Sequence, residues 1–290
     1  MKLGKKKEKK EEAPKEPQYF INAVNMEVLN YKVYYMKKTE KMLYALLAFV
    51  VGALVGFLFY GGIGKDEFGQ STTLTYVLNI AIPTIVGLIA AKFFVPMRTQ
   101  QIIKKRQKVL TGQFRDMCEG LSTALGAGKN VTDSFIAVTE DMRVQYGDES
   151  YILNELLVIL AGMENNVSIE SLLDDFGDRS GIKDIKSFAS VFQTCYRKGG
   201  NIKDVIRNTT TILSDKMEIR SELETMASSS QMEQYIMIAM PILLIVLIKM
   251  MSPEFAANFV SGTGIMSTTI AIVIFVIAYI VGKKVLDIKI

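Results

Sequence analysis

Four stretches of the chain are almost free of charged residues and stand in two closely spaced pairs. They are residues 42–60, 74–95, 235–251 and 265–282. An α-helix needs about 20 residues to cross the hydrocarbon core of a bilayer, and four such runs in two pairs are not typical of buried helices in a soluble protein. The pattern therefore predicts four transmembrane helices, two before and two after a polar middle segment.

The middle segment, residues 96–234, repeats its apolar residues at helical spacing and is interrupted by glycines. Phe114, Met117, Cys118 and Leu121 lie on one such stripe. Five further helices are predicted to begin at or near Asn130, Tyr151, Ser168, Ile182 and Asn201. The last pattern continues without Pro or Gly into the third apolar stretch, so one helix is expected to join the two. No useful length alternates with period two, and the predicted fold class is all-α.

Three segments lie outside these parts. Residues 1–18 are rich in Lys, Glu and Pro and are expected to form a disordered tail, while residues 283–290 form a short cytoplasmic tail. Residues 19–41 are predicted to be an amphipathic juxtamembrane helix, because their aromatic and aliphatic residues recur at helical spacing. Two positions remain open for that helix, namely the membrane surface and the surface of the middle segment.

The polar segments differ in charge, and the difference predicts an orientation in the membrane. Residues 1–41 contain eleven Lys, and five basic residues lie within 98–108, directly after the second apolar stretch. The connections within the two pairs, 61–73 and 252–264, contain a single Lys between them. Because cytoplasmic loops carry an excess of Lys and Arg, both termini and the middle segment are predicted to be cytoplasmic.

The composition excludes several kinds of chemistry. The sequence has no His, which removes imidazole acid-base catalysis and His-ligated metals. Cys118 and Cys195 have no CxxC spacing and are expected to be reduced residues of helix cores. The net charge of +4 does not indicate nucleic-acid binding.

One segment superficially resembles a phosphate-binding loop. Residues 123–130 read T-A-L-G-A-G-K-N, with Thr123 in place of the first glycine and Asn130 in place of the Mg²⁺-binding hydroxyl. The preceding residues are predicted to be helix and not strand, so we interpret the glycines as a helix-to-helix turn. We therefore predict no enzymatic activity, no cofactor, no metal site and no nucleic-acid partner.

The apolar stretches contain no Asp or Glu, which disfavours an ion-coupled transporter. Lys92 and Lys249 lie near the ends of their stretches, from which they can extend to the membrane interface. A small membrane transporter or channel component nevertheless remains the alternative interpretation.

Two groups of residues in the middle segment are candidate partner-binding positions. Asp174, Asp175 and Asp178 lie on the predicted outward face of a helix, as either a solvated surface or a docking surface for a basic partner. The second group surrounds a predicted break between helices and consists of Arg197, Lys198, Gly199, Gly200 and Asn201. Cations at a helix C-terminus also complement its dipole, so this group has a structural explanation too.

Two runs of the middle segment resemble the type II secretion system F domain. They are Q-F-R-D-M-C-E-G-L-S-T-A-L-G-A-G at 113–128 and Y-R-K-G-G-N-I-K-D-V-I at 196–206, the latter followed by a long helix entering a Pro-containing span. One such domain between two pairs of spans is similar to the Tad (Flp) pilus assembly proteins of the TadB/TadC type. General secretion and type IV pilus relatives carry two copies of the domain. Residues 164–167 depart from the family, which more often has a Gly-containing turn there.

The resemblance implies a non-enzymatic platform protein of a pilus or type II secretion-like machine, located in the cell (cytoplasmic or inner) membrane. In that role the middle domain would contact a hexameric cytoplasmic assembly ATPase, and the spans would help to extract pilin subunits from the membrane. A paralogous platform protein or a second copy of the chain is a further implied partner.

Overall fold

The computed structural model describes residues 16–22, 25–64 and 70–286, and these residues are mostly helical. The helices are α1 Lys38–Tyr60, α2 Thr73–Gly126, α3 Val131–Tyr146, α4 Tyr151–Glu164, α5 Ile169–Ser180, α6 Lys183–Lys198, α7 Ile202–Met251, α8 Pro253–Val260 and α9 Gly262–Leu286. Two short strands, β1 Tyr19–Ile21 and β2 Glu27–Leu29, precede them.

The predicted all-α class is confirmed. The tails expected at 1–18 and 283–290 lie outside the described residues at 1–15 and 287–290, as does part of the first connection, 65–69.

The four predicted membrane spans are confirmed as helices of sufficient length and apolarity. They are Lys38–Tyr60, the first part of Thr73–Gly126, Met232–Met251 and Gly262–Gly282. Each contains an 18-residue window with a mean hydropathy of 1.9 to 2.5, and at most 11% of that window is buried within the protein. Side chains that face outward over such a length suit the acyl chains of a bilayer.

The described chain divides into two compact units. We call the first the helical domain, which comprises the described residues up to Tyr35 together with Ile102–Ser214. The second, the membrane unit, comprises Met36–Gln101 and the described residues from Asp215 onward. The second part of the helical domain, Ile102–Ser214, lies inside the predicted 96–234 segment, and its first part is the N-terminal segment that the sequence places outside that segment.

Helix α2 is longer than the sequence predicts, because the second span and the first domain helix are one element of 54 residues. Residues 97–111 contain neither Gly nor Pro and are rich in Arg, Lys and Gln, which are good helix formers. Pro83 and Pro96 lie inside the helix. An apolar run and a polar stripe can therefore belong to one helix, since the backbone hydrogen bonds do not depend on the surroundings of the side chains.

The prediction of a helix for the juxtamembrane segment is wrong for its first part, because β1 and β2 form a β-hairpin there. β1 and β2 pair antiparallel, with Phe20 opposite Val28. The Asn22 side chain accepts a hydrogen bond from the backbone N–H of Met26 at 2.9 Å, and Asn25 adopts a left-handed φ of 59°. Asn favours turns because its side chain bonds nearby backbone and tolerates this conformation, and two of them override a helical spacing. The hairpin belongs to the helical domain, which is one of the two positions left open.

The core of the helical domain is built from the apolar stripes that predict its helices. Its fully buried aromatic and aliphatic members include Phe114, Met117, Leu121, Phe135, Val138, Phe176, Phe188 and Phe192. The ring of Phe114 contacts those of Phe176 and Phe188, with centroids 6.1 Å and 5.3 Å apart. Each buried Phe contributes about 1.5–3 kcal/mol relative to an exposed one. Both cysteines are free thiols on helices, Cys118 fully buried and Cys195 half-buried.

Small residues allow α1 and α2 to pack closely in the membrane unit. A Cβ atom added to Gly52 would lie 2.7 Å from Cβ of Ala90, and one added to Gly87 would lie 2.7 Å from the ring of Phe49. Gly56 lies on the same face of α1, one turn further on. Glycines four residues apart are typical of helix pairs in membranes, where close backbone approach replaces the hydrophobic effect between helices.

Candidate interaction sites of the helical domain

Two of the three predicted acidic residues on α5 share one partner on α6. The Nζ atom of Lys186 lies 2.6 Å from Oδ1 of Asp174 and 2.9 Å from Oδ1 of Asp178. The hydrogen bonds to Asp174 and then to Asp178 raise the pKa of Lys186. The two carboxylates are 41% and 62% exposed, so they form a surface with more negative than positive charge, which we call the acidic pair.

The third acidic residue, Asp175, has a different partner. Its Oδ2 atom accepts a hydrogen bond from Nε of Arg179 at 2.7 Å, one turn further along α5. The Arg179 side chain is only 5% exposed, whereas Asp175 itself is 48% exposed, so Asp175 is a surface carboxylate with a buried partner. The three acidic residues thus have two different partners, which sequence spacing alone does not reveal.

Arg179 belongs to a buried ion pair that the sequence analysis missed. Its Nη1 and Nη2 atoms donate to the two carboxylate oxygens of Glu155 on α4, at 2.9 Å and 2.7 Å. The Glu155 side chain is 3% exposed. The available signal was that Glu155 is the one charged residue in the apolar run 151–163. A charge in such a run requires a partner, because an unpaired buried charge is very costly.

The same cluster holds the N-terminal segment on the domain. The hydroxyl of Tyr31 donates to Oε1 of Glu155 at 3.0 Å, and the backbone N–H of Tyr31 donates to the carbonyl of Arg179 at 2.9 Å. Arg179 Nη1 also donates to the carbonyl of Leu29 at 3.1 Å. Burial, and then the charge of Glu155, raises the pKa of Tyr31, so its hydroxyl stays a donor. We call Tyr31, Glu155 and Arg179 the clamp.

The second predicted group of residues forms the turn between α6 and α7. Gly199 ends α6 in the left-handed conformation, with a φ of 72°. The backbone N–H of Gly200 donates to the carbonyl of Cys195 at 2.7 Å. Asn201 caps α7, since its Oδ1 atom accepts from the backbone N–H of Asp204 at 3.4 Å. Their geometry is that of a helix-to-helix connection, and their role in binding a partner stays a prediction.

The two basic residues of that group differ in their surroundings. Nε of Arg197 lies 3.5 Å from Oε1 of Glu170, which is in the first turn of α5, whereas Lys198 is exposed. Gly199 follows α6 and lies thirteen positions after Lys186, or about 20 Å away at the helical rise per residue. The acidic pair and the α6–α7 turn are thus at opposite ends of α6, and the structure does not bring them together.

The segment that resembles a phosphate-binding loop is the turn between α2 and α3, as we interpreted it. Gly128 has a φ of 86°, and the Asn130 side chain accepts a hydrogen bond from the N–H of Asp133 at 2.8 Å to cap α3. Among the described residues, no group of three or more acidic or cysteine side chains is placed to hold a metal ion.

A comparison with protein families gives a match over just under half of the chain. Residues 117–249 match the model of the family described as type II secretion system (T2SS), protein F. The match begins in α2, covers α3 to α6 and ends in α7. No curated protein and no solved structure matches the chain. Residues 117–249 are therefore similar to the T2SS protein F domain, in a chain with four helices long and apolar enough to cross a membrane, and the resemblance inferred from the sequence is confirmed at that level.

Proposed function

We propose that the protein is a non-enzymatic platform of a pilus or type II secretion-like machine in the cytoplasmic (inner) membrane. The observation that carries this proposal is the match of residues 117–249 to the T2SS protein F family, in a chain with four helices that can cross a membrane. In this role the helical domain binds a hexameric cytoplasmic assembly ATPase, and the spans act on pilin subunits. A second copy of the chain or a paralogue of the TadB/TadC type completes the platform.

The acidic pair is the surface that we propose for the ATPase. Asp174 and Asp178 have only one ammonium group between them, and Asp178 is 62% exposed, so a basic partner would find carboxylate oxygens within reach. Complementary charges of this kind chiefly determine the choice of partner and the rate of association. Asp175 is not counted in the acidic pair, because its charge is balanced by a partner of its own, Arg179. The exposed Lys198 and the turn that follows it are a second, separate surface for the same partner.

The platform role is tested with the full-length chain and its cognate assembly ATPase. We expect the detergent-solubilised protein to retain the ATPase in a pull-down, and we expect deletion of the gene to abolish pilus formation or secretion. The proposal is overturned if the full-length protein retains no ATPase and assembly continues without the gene.

The docking surface is tested separately by Asp174→Asn combined with Asp178→Asn. We expect the double variant to reach normal levels in the membrane and to bind the ATPase on the order of tenfold more weakly, since tenfold corresponds to about 1.4 kcal/mol, a plausible sum for two surface ion pairs. Asp148→Asn is the matched control, because Asp148 is an exposed acid paired with Arg143 elsewhere on the domain. Equal binding by the double variant and the control would exclude this surface but leave the platform role intact.

The transporter alternative receives no support from the cleft between the four spans. This cleft has a volume of about 510 Å³ and is lined mostly by aliphatic and Phe side chains, among them Val55, Phe59 and Ile238, with Tyr60 and Tyr279 as the residues that carry a hydroxyl. A transported polar solute would need hydrogen-bonding or charged groups along its path. Solute uptake by liposomes that contain the purified protein would restore the alternative.

A further inference from the structure

The ammonium group of Lys249 is held at the end of α1. Its Nζ atom donates to the carbonyl oxygens of Leu58 and Phe59 at 2.6 Å and 3.4 Å, and it lies 5.2 Å from the centroid of the Phe259 ring. These carbonyls belong to the last turn of α1, where they lack partners within the helix and form the negative end of its dipole. Lys249 therefore has a fixed position at the end of α1.

Three features make this position suitable for an anion. The dipole of α1 contributes only about half an elementary charge, so carbonyl contacts alone leave Lys249 with net positive charge. Among the residues whose side chains the structure describes, which exclude 253–256, no carboxylate forms a salt bridge with Lys249, and its hydrogen bonds are those to the two carbonyls. The ammonium also marks the level at which α1 ends, where a spanning helix meets the headgroups of the bilayer.

An apolar groove lies beside Lys249, between α1 and α7. It has a volume of about 290 Å³ and is lined by Leu54, Phe57, Leu58, Gly61, Val246, Lys249 and Met250. From Leu54 to Gly61 the groove follows α1 for seven residues, or about 10 Å. It thus runs from the level of the ammonium group toward the apolar middle of the span, and the exposed side chains of Leu54, Phe57 and Met250 leave it open to the surroundings.

We propose that this groove binds an anionic phospholipid, with an acyl chain between α1 and α7 and the phosphate at Lys249. The occupant follows from the location, because the surroundings of an exposed span are acyl chains and an empty groove would lose their dispersion contacts. The charge determines the class of lipid, since a zwitterionic lipid presents its own ammonium group to Lys249 and an anionic one does not. This site is independent of the platform role.

The proposal is tested by native mass spectrometry of the full-length protein with phosphatidylglycerol and phosphatidylcholine. We expect the wild type to retain phosphatidylglycerol on the order of tenfold better. Lys249→Gln should remove that preference and Lys249→Arg should keep it. Lys92→Gln is the matched control, because Lys92 lies in another span and does not line the groove, and it should leave the preference unchanged.

A second variant tests the groove with Lys249 in place. Val246→Phe fills the space where the acyl chain is proposed to lie, and we expect it to reduce the retention of both lipids while the thermal unfolding profile stays close to that of the wild type. Equal retention of the two lipids by the wild type overturns the proposal, as does unchanged retention by Val246→Phe. Full displacement of phosphatidylglycerol by inorganic phosphate would also overturn it, because the site would then recognise phosphate alone.

Discussion

Individual residues matter most where the clamp joins the N-terminal segment to α4 and α5. Removing one member of a buried ion pair leaves the other as an unpaired buried charge, which lowers the free energy of unfolding by about 3–5 kcal/mol. We therefore expect Arg179→Met to lower the thermal unfolding temperature of the full-length protein strongly, as followed by circular dichroism in detergent. In the double variant Glu155→Gln/Arg179→Met, which has no unpaired charge, much of the stability should return.

Asp175→Asn provides the control for that prediction. This substitution removes the charge of Asp175, which is 48% exposed, and leaves the Glu155–Arg179 pair intact. We therefore expect the free energy of unfolding to fall by only about 0–1 kcal/mol. If Arg179→Met unfolds at the same temperature as Asp175→Asn, the Glu155–Arg179 pair does not contribute the stability assigned to it.

A second residue-scale effect concerns stability at alkaline pH. Tyr146 donates a hydrogen bond to Asp116, and burial followed by this bond raises the pKa of Tyr146 from 10.0 to about 12. A group with a raised pKa in the folded state contributes stability that is fully present below its unfolded pKa of 10.0 and lost as the pH rises through about 12. We expect the stability difference between the wild type and Tyr146→Phe to shrink over that interval. If the unfolding temperatures of the wild type and Tyr146→Phe change in parallel with pH, the raised pKa of Tyr146 does not contribute to stability.

At the scale of elements, the turn between α6 and α7 allows the backbone conformation of one glycine to be tested by substitution. A Cβ atom at Gly199 would meet nothing within 4 Å, so Gly199→Ala changes only the strain of a φ of 72°. This strain is on the order of 1–2 kcal/mol. We expect a corresponding loss in unfolding temperature, whereas Lys198→Ala, one residue earlier, should have almost none. Equal effects of the two substitutions would show that the left-handed conformation is not required.

Gly200 in the same turn is sensitive for a different reason. A Cβ atom there would lie 3.1–3.2 Å from Cβ, Cα and Sγ of Cys195, so the cost of Ala would come from packing. The sequence predicted a break at these glycines because they follow a helical stripe. It did not predict which of the two needs a left-handed φ, since that depends on the course of the chain into α7.

At the scale of the whole molecule, the charge pattern predicts that both termini and the helical domain are cytoplasmic and that the connections within the two pairs of spans are on the other side. We expect Ala257→Cys in α8 to react with a membrane-impermeant maleimide in spheroplasts, and Lys129→Cys in the α2–α3 turn to react only after lysis. Both positions are exposed. Cys195→Ser removes the half-buried thiol, and Cys118 is fully buried. Labelling of Lys129→Cys in spheroplasts would reverse the predicted topology.

Most of the architecture was predictable because it depends on neighbouring residues. The spans follow from local hydropathy, α3 begins where Asn130 caps it, and α6 ends where Gly199 permits a left-handed turn. Two elements differ from the sequence prediction for local reasons. The hairpin of β1 and β2 replaces a predicted helix because Asn22 and Asn25 form its turn. The second span and the first domain helix form the single helix α2 because the residues that join them are good helix formers.

The candidate sites depended on contacts that sequence spacing does not contain. Tyr31 and Glu155 are 124 positions apart, and Lys249 and Leu58 are 191 apart, so their pairing exists only once the helices have packed. The three aspartates of α5 have two sets of partners, because Lys186 of α6 reaches Asp174 and Asp178 whereas Arg179 of α5 binds Asp175. The sequence by itself thus determined the helices and the spans, whose free energies are set within a few turns. The tertiary structure decided which charges are buried, paired or left for a ligand, because those energies depend on distances between segments far apart in the chain.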